Sequence, residues 1–111
     1  MTRSNRKLKN GGYPPEWTEI FKRSIRQRDN YLCAICQGGG RMDVHHIDYT
    51  KLHTTRDNCI SLCRTCHDRV HDSSWAEKQD WKLKLWRIAA ERERKYRAVN
   101  SGTRQALRTR P

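Results

Sequence analysis

The sequence contains no long run of apolar residues. Only 34% of its 111 residues are hydrophobic, and no stretch approaches the roughly 20 consecutive apolar residues that a membrane-spanning helix requires. The first residues of the sequence also contain no apolar segment, so no secretory signal is visible. We therefore expect a protein that does not associate with membranes and that resides in the reducing cytoplasm.

Acidic side chains are also few. The chain has 12 Asp and Glu residues against 24 Lys and Arg, a formal net charge of +12. A small chain with this excess is expected to bind a polyanion, and nucleic acid is the simplest choice. The alternatives are a basic protein whose charged faces are only solvated, or one that binds a membrane surface. The spread of basic residues over the whole chain makes the membrane the weaker alternative.

The five cysteines predict how so small a chain is stabilised. A domain of this size builds a weak core and usually needs a disulfide or metal staple. Cys33 and Cys36 form one Cys-x-x-Cys pair, and Cys63 and Cys66 form another. In a reducing compartment four such thiolates predict a closed, structural Zn²⁺ site, rather than redox-active or unrelated pairs. Cys59 has no partner at ligand spacing, and we expect it to pack in the core.

Composition divides the chain into three parts. We expect residues 1–12 to form a flexible basic arm, residues 13–99 a single domain with its core at 28–72, and residues 100–111 a basic, disordered tail. The domain begins with a helix that runs from Pro14 and Pro15 to about Arg28. The apolar stripe of this helix consists of Trp17, Ile20, Phe21 and Ile25.

Two strands and two further helices are predicted for the rest of the domain. The strands cover residues 42–47 and 58–62, and a helix runs from Arg64 to about His71. Ser73 or Ser74 begins a longer C-terminal helix, with Glu77 placed to complete a capping box. The apolar face of this helix carries Trp81, Leu85, Ile88 and Ala89, with Trp75 as a further candidate. The fold class is therefore α+β.

All five histidines lie between positions 45 and 71. His67 and His71 are four residues apart and share one face of a helix. His45 and His46 are adjacent on a strand, so their side chains point to opposite sides. One of this pair can bind a metal with His67 and His71, and the other can take a proton from water. Three ligands with open positions are typical of a catalytic metal site.

Other assignments of the histidines are possible. His67 could replace a cysteine as a zinc ligand, which would leave His71 as a solvated helix residue. His53 stands apart in a polar loop, where a phosphate contact or plain surface exposure is favoured over metal binding.

The spaced motifs resemble the HNH endonuclease family over roughly residues 26–72. The resemblance rests on the first Cys pair, the His pair with its flanking Val44 and Ile47, Asn58, and the segment Leu62–His67 followed by His71. It implies a ββα-metal (His-Me) motif stapled by the four-cysteine zinc site, flanked by the N-terminal helix and the long C-terminal helix. Residues 13–99 would then form a single HNH nuclease domain.

The resemblance also implies a role for each residue of the motif. His46 would be the general base, and His45 would bind a catalytic divalent ion together with His67 and His71. Asn58 would orient the motif by hydrogen-bonding across the loop, although it could bind the metal or be a simple turn amide. Imidazole ligands suit Zn²⁺, Ni²⁺ or Co²⁺, while relatives with Asp in the position of His45 favour Mg²⁺ or Mn²⁺.

The implied function is hydrolysis of DNA phosphodiester bonds, by nicking or by double-strand cleavage. Candidates for phosphate contacts are Arg41, Lys51, Arg56, Arg64 and Arg69. The long helix could add such contacts or only shield the core. Small proteins of this kind resemble those encoded beside phage packaging genes, so a terminase or another packaging protein is an expected partner, in the host cytoplasm. The alternative is a non-catalytic, zinc-dependent DNA-binding module or an accessory subunit.

Overall fold

A computed structural model describes the backbone of residues 13–109 and the side chains of residues 13–100. The helices are α1 (Glu19–Arg28), α2 (Arg64–His71) and α3 (Trp75–Thr109), and the strands are β1 (Asp43–His46) and β2 (Cys59–Leu62). A short 3-10 helix, Arg56–Asn58, precedes β2. The α+β class is therefore confirmed. The expected basic arm, residues 1–12, lies outside the described residues.

The two strands form an antiparallel pair in which Asp43 lies opposite Leu62 and His46 opposite Cys59. All four side chains of β2 are buried, because α1 and α3 also pack against this strand. The loop between the strands is closed by a hydrogen bond from the Ile47 amide to the Asn58 carbonyl, at 2.7 Å. The pairing of β1 with β2 therefore brings the histidine pair of β1 next to the beginning of β2.

Helix α3 covers the main core through Leu85 and Ala89, both fully buried. Its start is the predicted capping box: the Glu77 amide donates to Ser74 Oγ at 3.2 Å, and the Ser74 amide donates to the Glu77 carboxylate at 2.9 Å. Trp75, however, is 77% exposed and adds nothing to the apolar face. The helical backbone continues to Thr109, beyond the expected end of the domain, and the division at residue 100 stays a prediction.

Helix α1 begins later than its apolar spacing suggested. Thr18 caps it by accepting a hydrogen bond from the Phe21 amide at 3.0 Å, so Pro14 and Pro15 lie in the preceding turn. The buried face includes Ile25, whereas Ile20 is 77% exposed. The prediction that Ile20 belongs to the apolar stripe was therefore wrong.

A buried ion pair joins α1 to the strands and α3. Arg28 donates to the Asp29 carboxylate at 2.8 Å and to the carbonyl oxygens of Arg56 and Cys59 at 2.6 and 2.8 Å. The Asp29 carboxylate in turn accepts a hydrogen bond from the Ser61 amide at 2.8 Å. Both charges are thus buried with their hydrogen bonds satisfied, which is the condition for keeping such a pair in a core. Across residues 13–109, no helix is both long enough and apolar enough to cross a membrane.

Candidate metal centres and nucleic-acid interface

The four paired cysteines come together where the segment that carries Cys33 and Cys36 meets the beginning of α2. The sulfur atoms of Cys33, Cys36, Cys63 and Cys66 all lie within 4.8 Å of one another. All five cysteines fall within the described residues, and none forms a disulfide. Four closely placed sulfurs indicate a structural zinc site, which would join the segment that carries Cys33 and Cys36 to the beginning of α2.

The ionisation of these thiols fits a cation among them. Burial opposes a charge on Cys33, but backbone N–H groups stabilise its thiolate and lower its pKa to about 6. Burial and the neighbouring sulfurs raise the pKa of Cys66 to about 12. One thiolate thus forms readily among the four sulfurs, and further thiolates beside it need a cation to neutralise their charge.

A second cluster joins β1 to α2. The side chains of His45, His67 and His71, here called the histidine triad, offer ligand atoms within 4.8 Å of one another. The ring centroids lie 4.7–5.2 Å apart. His45 is 2% exposed, and His71 lies on the open side. The three residues that the sequence proposed as ligands are thus placed together.

The buried imidazole of His45 carries the signature of a metal ligand. Its Nε2 atom is buried and has no hydrogen-bond partner among the described residues, although a buried polar atom normally has one. Burial and the nearby His67 and His71 lower the pKa of His45 to about 3. A neutral imidazole with an unused nitrogen, facing two others, fits a divalent ion.

Two neighbours hold the triad in place. The Asp43 carboxylate lies 3.1 Å from Nδ1 of His67, which leaves Nε2 of that ring available to a metal, as in carboxylate–histidine–metal arrangements. Tyr49 sets its ring nearly perpendicular to those of His45 and His71, at centroid distances of 5.2 and 5.5 Å.

His46 points to the other side of β1. Its Nε2 atom lies 3.0 Å from Thr54 Oγ1, and its ring packs against Trp17 at 4.5 Å and Tyr13 at 6.0 Å. Burial lowers the pKa of His46, so the ring is neutral at neutral pH. His46 and the triad nevertheless line one cleft of about 130 Å³, to which Lys51 also contributes.

Asn58 is the centre of a hydrogen-bond network that spans the loop. Its Nδ2 donates to the Asp48 carboxylate at 3.1 Å and to the His53 carbonyl at 2.8 Å. Its Oδ1 accepts a hydrogen bond from the indole N–H of Trp86, on α3, at 3.0 Å. Asn58 therefore ties both halves of the loop to the long helix, and it lies outside the triad.

Four of the five predicted phosphate contacts are exposed, namely Arg41, Lys51, Arg64 and Arg69. Lys51 lies over the ring of Tyr13 at 4.7 Å, and Arg64 lies 3.3 Å from Asp43. Arg56 is placed differently.

The guanidinium of Arg56 contacts the Glu93 carboxylate at 3.1 Å and Ser24 Oγ at 3.1 Å. It also lies over the Tyr96 ring. The structure thus gives Arg56 contacts that link α3 to α1, whereas we expected only a phosphate contact.

Comparison with known proteins agrees with the geometry over the same segment. Residues 33–73 match the family model described as HNH endonuclease, which confirms the resemblance over that segment. The chain is also similar to the Zorya protein ZorE of Escherichia coli, with 35% identity over 63 residues. That match covers 52% of this chain and 17% of ZorE. No solved structure matches the chain significantly.

The sequence did not point to several residues of the site. Asp43, Thr54 and Trp86 contact the motif from a strand end, a loop and a distant helix, and none carries a spacing signal. Only the acceptor requirement of a metal-binding imidazole could have singled out Asp43 beforehand.

Proposed function

We propose that the chain is a DNA endonuclease that hydrolyses phosphodiester bonds with the help of a divalent ion at the histidine triad. The observation that carries the proposal is the buried Nε2 of His45, which has no hydrogen-bond partner among the described residues, in a side chain that lines the same cleft as His67, His71 and His46. A closed four-cysteine site alone would serve a purely structural domain. An open three-imidazole site next to a neutral histidine adds the groups that hydrolysis requires.

The reaction assigns a separate task to His46. Its Nε2–H can donate to Thr54 Oγ1, which leaves Nδ1 as the nitrogen with the lone pair. His46 then takes a proton from water as the water oxygen bonds to phosphorus and the bond to the 3′-oxygen breaks, and the departing 3′-oxygen takes a proton from a solvent water molecule. The products are a 5′-phosphate and a 3′-hydroxyl. A divalent ion bound by the triad would supply charge neutralisation at the phosphate and the leaving oxygen.

The surroundings of His46 suit this task in two ways. Trp17 and Tyr13 cover the ring and exclude water from one side, and burial keeps the ring neutral. Asn58 supports the same arrangement at a distance, because it fixes the loop that carries Thr54. We therefore assign Asn58 a positioning role.

The proposal also covers the residues outside the histidine triad. The four cysteines hold structural zinc, and Arg41, Lys51, Arg64 and Arg69 contact DNA phosphates, while Arg56 is withdrawn from that set. Neither the HNH family description nor the name of ZorE refers to a terminase or to packaging, so a phage packaging role rests on the resemblance alone. A cytoplasmic location and the division into arm, domain and tail are likewise proposals.

A second function is favoured by one observation. His46 is only 7% exposed, and its ring is covered by two aromatic side chains. A non-catalytic, zinc-dependent DNA-binding module would have no need of an accessible base. In that case the triad would hold a second structural ion, and DNA would be bound without being cut.

The test is cleavage of supercoiled plasmid by the purified chain, with Mg²⁺, Mn²⁺, Ni²⁺, Co²⁺ or Zn²⁺ added in turn. Wild type and His46→Ala are compared, and DNA binding by both is measured in parallel. We expect metal-dependent cleavage by wild type and a loss of roughly 100-fold or more in His46→Ala, the usual contribution of a general base. Binding without cleavage under every metal would favour the second function.

A further inference from the structure

We propose that Lys78 and Lys82, on α3, form a phosphate-binding pair at the open side of the histidine triad and engage the DNA backbone next to the bond that is cut. The inference rests on the proposed function, because it names substrate contacts of the same site. Neither lysine belongs to the segment that matches the HNH family. The fold brings them to the site from a separate helix.

Tyr49 is the contact through which the two lysines reach the triad. The Lys78 ammonium lies 5.4 Å from the centroid of the Tyr49 ring, and the Lys82 ammonium lies 5.8 Å from it. The same ring packs edge-on against His45 and His71. The lysines are four residues apart, so they share one face of α3.

The backbone at Tyr49 indicates that this placement is specific. Tyr49 has a φ of 65°, a left-handed conformation that is unusual and strained for a bulky residue. Its hydroxyl donates to the Val70 carbonyl at 3.1 Å, which fixes the ring between α2 and α3. The strained turn therefore holds an aromatic surface to which both ammonium groups are attracted.

The position of the pair matches the side from which DNA can approach. His45 is buried and His71 is exposed, so the triad opens towards His71, and Tyr49 and the lysines lie on that side.

The charges of this pair are available to a ligand. Among the described residues, neither Lys78 nor Lys82 forms an ion pair with a carboxylate, in contrast to Lys22 and Lys95 on exposed helix faces. Two ammonium groups on one aromatic ring repel each other. An anion between them, such as a backbone phosphate, relieves that repulsion and fits the net charge of the chain.

The experiment compares the salt dependence of binding to a fluorescein-labelled DNA duplex, measured without added divalent ion. The test variant is the double substitution Lys78→Met and Lys82→Met, which removes both charges and keeps the aliphatic stems. A second double variant with Arg at both positions retains the charges. Lys84→Met is the matched control, because Lys84 is on the same helix and lies 5.1 Å from the ring of Trp81, away from the triad.

Two phosphate contacts account for about 1.8 of the slope of log K against log salt, at about 0.9 for each contact. We expect the double Met variant to lose that amount, the double Arg variant to keep the wild-type slope, and Lys84→Met to do the same. Plasmid cleavage at moderate salt should fall in the double Met variant and recover in the Arg variant. An unchanged slope in the double Met variant would overturn the inference, as would an equal loss in Lys84→Met.

Two further results separate this inference from its alternatives. If the lysines only hold Tyr49, Ni²⁺ affinity measured calorimetrically without DNA will fall in the double Met variant while the salt slope stays constant, and the inference is then wrong. If wild type cuts no plasmid with any metal but the slopes change as expected, the endonuclease proposal fails and the phosphate-binding pair stands.

Discussion

Replacement of Asn58 by Ala tests how the loop between the strands is held. The substitution removes three side-chain hydrogen bonds, those to Asp48, to the His53 carbonyl and from the Trp86 indole. The bond from the Ile47 amide to the Asn58 carbonyl is made by the backbone and survives. The strands should stay paired while the loop loosens.

The magnitude follows from the exposure of the partners. Each net hydrogen bond contributes about 0.5–1.5 kcal/mol. His53 is exposed and Trp86 is 38% exposed, so water can replace Asn58 at both partners. These two bonds therefore contribute near the lower end of that range, and the bond to the Asp48 carboxylate contributes near its middle. We expect Asn58→Ala to lower the free energy of unfolding by about 2 kcal/mol, or the melting temperature by roughly 8–15 °C for a domain of this size.

The assay is thermal unfolding of the zinc-loaded chain by circular dichroism, followed by plasmid cleavage below the transition. Cleavage should fall because Thr54, which contacts His46, lies in the loosened loop, while DNA binding should be retained. Asn58→Asp is the informative companion. It keeps the acceptor for Trp86 but sets a second carboxylate beside Asp48, so its stability should recover relative to Asn58→Ala as the pH is lowered. Wild-type stability and cleavage in Asn58→Ala would show that the side chain of Asn58 does not hold the loop.

Three further predictions concern the metal sites and the surface. Cys36 is exposed, so Cys36→Ser would lower the free energy of unfolding by no more than about 0.5 kcal/mol if the chain bound no metal. We expect this variant instead to lose zinc binding and to unfold, because structural zinc contributes about 10–16 kcal/mol. The control variant Cys59→Ala should keep one zinc ion per chain by elemental analysis. The pKa of His45 is depressed to about 3 from its ordinary 6.5, so the stability that comes from its neutral form is fully present above pH 6.5 and is lost as the pH falls towards 3. Between pH 7 and 5.5 this group should cost the chain without a metal at the triad about 1 kcal/mol in urea denaturation, and His45→Asn should lose less than wild type by about that amount, the remaining loss coming from His46 and His71, whose pKa values burial also lowers. Arg56→Gln should lower the melting temperature and leave the salt slope of DNA binding unchanged, while Arg41→Gln should reduce the slope by about 0.9 at constant stability.

Each of these has a result that contradicts it. Normal folding of Cys36→Ser without zinc would show that the cysteines are not a structural site. Stability that is flat or rises towards acid pH would mean that His45 is not kept neutral by the fold. An equal change of salt slope in the two arginine variants would return Arg56 to the DNA surface.

Local sequence signals predicted the parts of the fold that depend on neighbouring residues. The Ser74 and Glu77 capping box needs only a three-residue spacing, and it forms as expected. The opposite directions of His45 and His46 follow from strand geometry, and His67 and His71 share a face through helix geometry. These spacings left either His45 or His46 as the third imidazole, and only the resemblance to the HNH family assigned His45, which lies with His67 and His71 in the structure.

Other features depend on contacts that the sequence does not encode locally. The spacing of Ile20 fitted an apolar stripe, but Thr18 caps the helix and turns Ile20 to solvent. No local pattern marks Arg28 as buried, yet it is buried because Asp29 and two carbonyl groups from other segments satisfy its hydrogen bonds. Arg56 is drawn inward for the same reason, since only the tertiary fold places the Glu93 carboxylate of α3 beside it.

The most direct test of the account is the rate of metal-dependent plasmid cleavage by His46→Ala relative to His53→Ala, at equal amounts of bound DNA. His53 is the matched control because its side chain is 65% exposed and lies outside the triad. We predict cleavage close to the wild-type rate in His53→Ala and a loss of roughly 100-fold or more in His46→Ala. Equal rates in the two variants would contradict the assignment of His46 as the base on which hydrolysis depends.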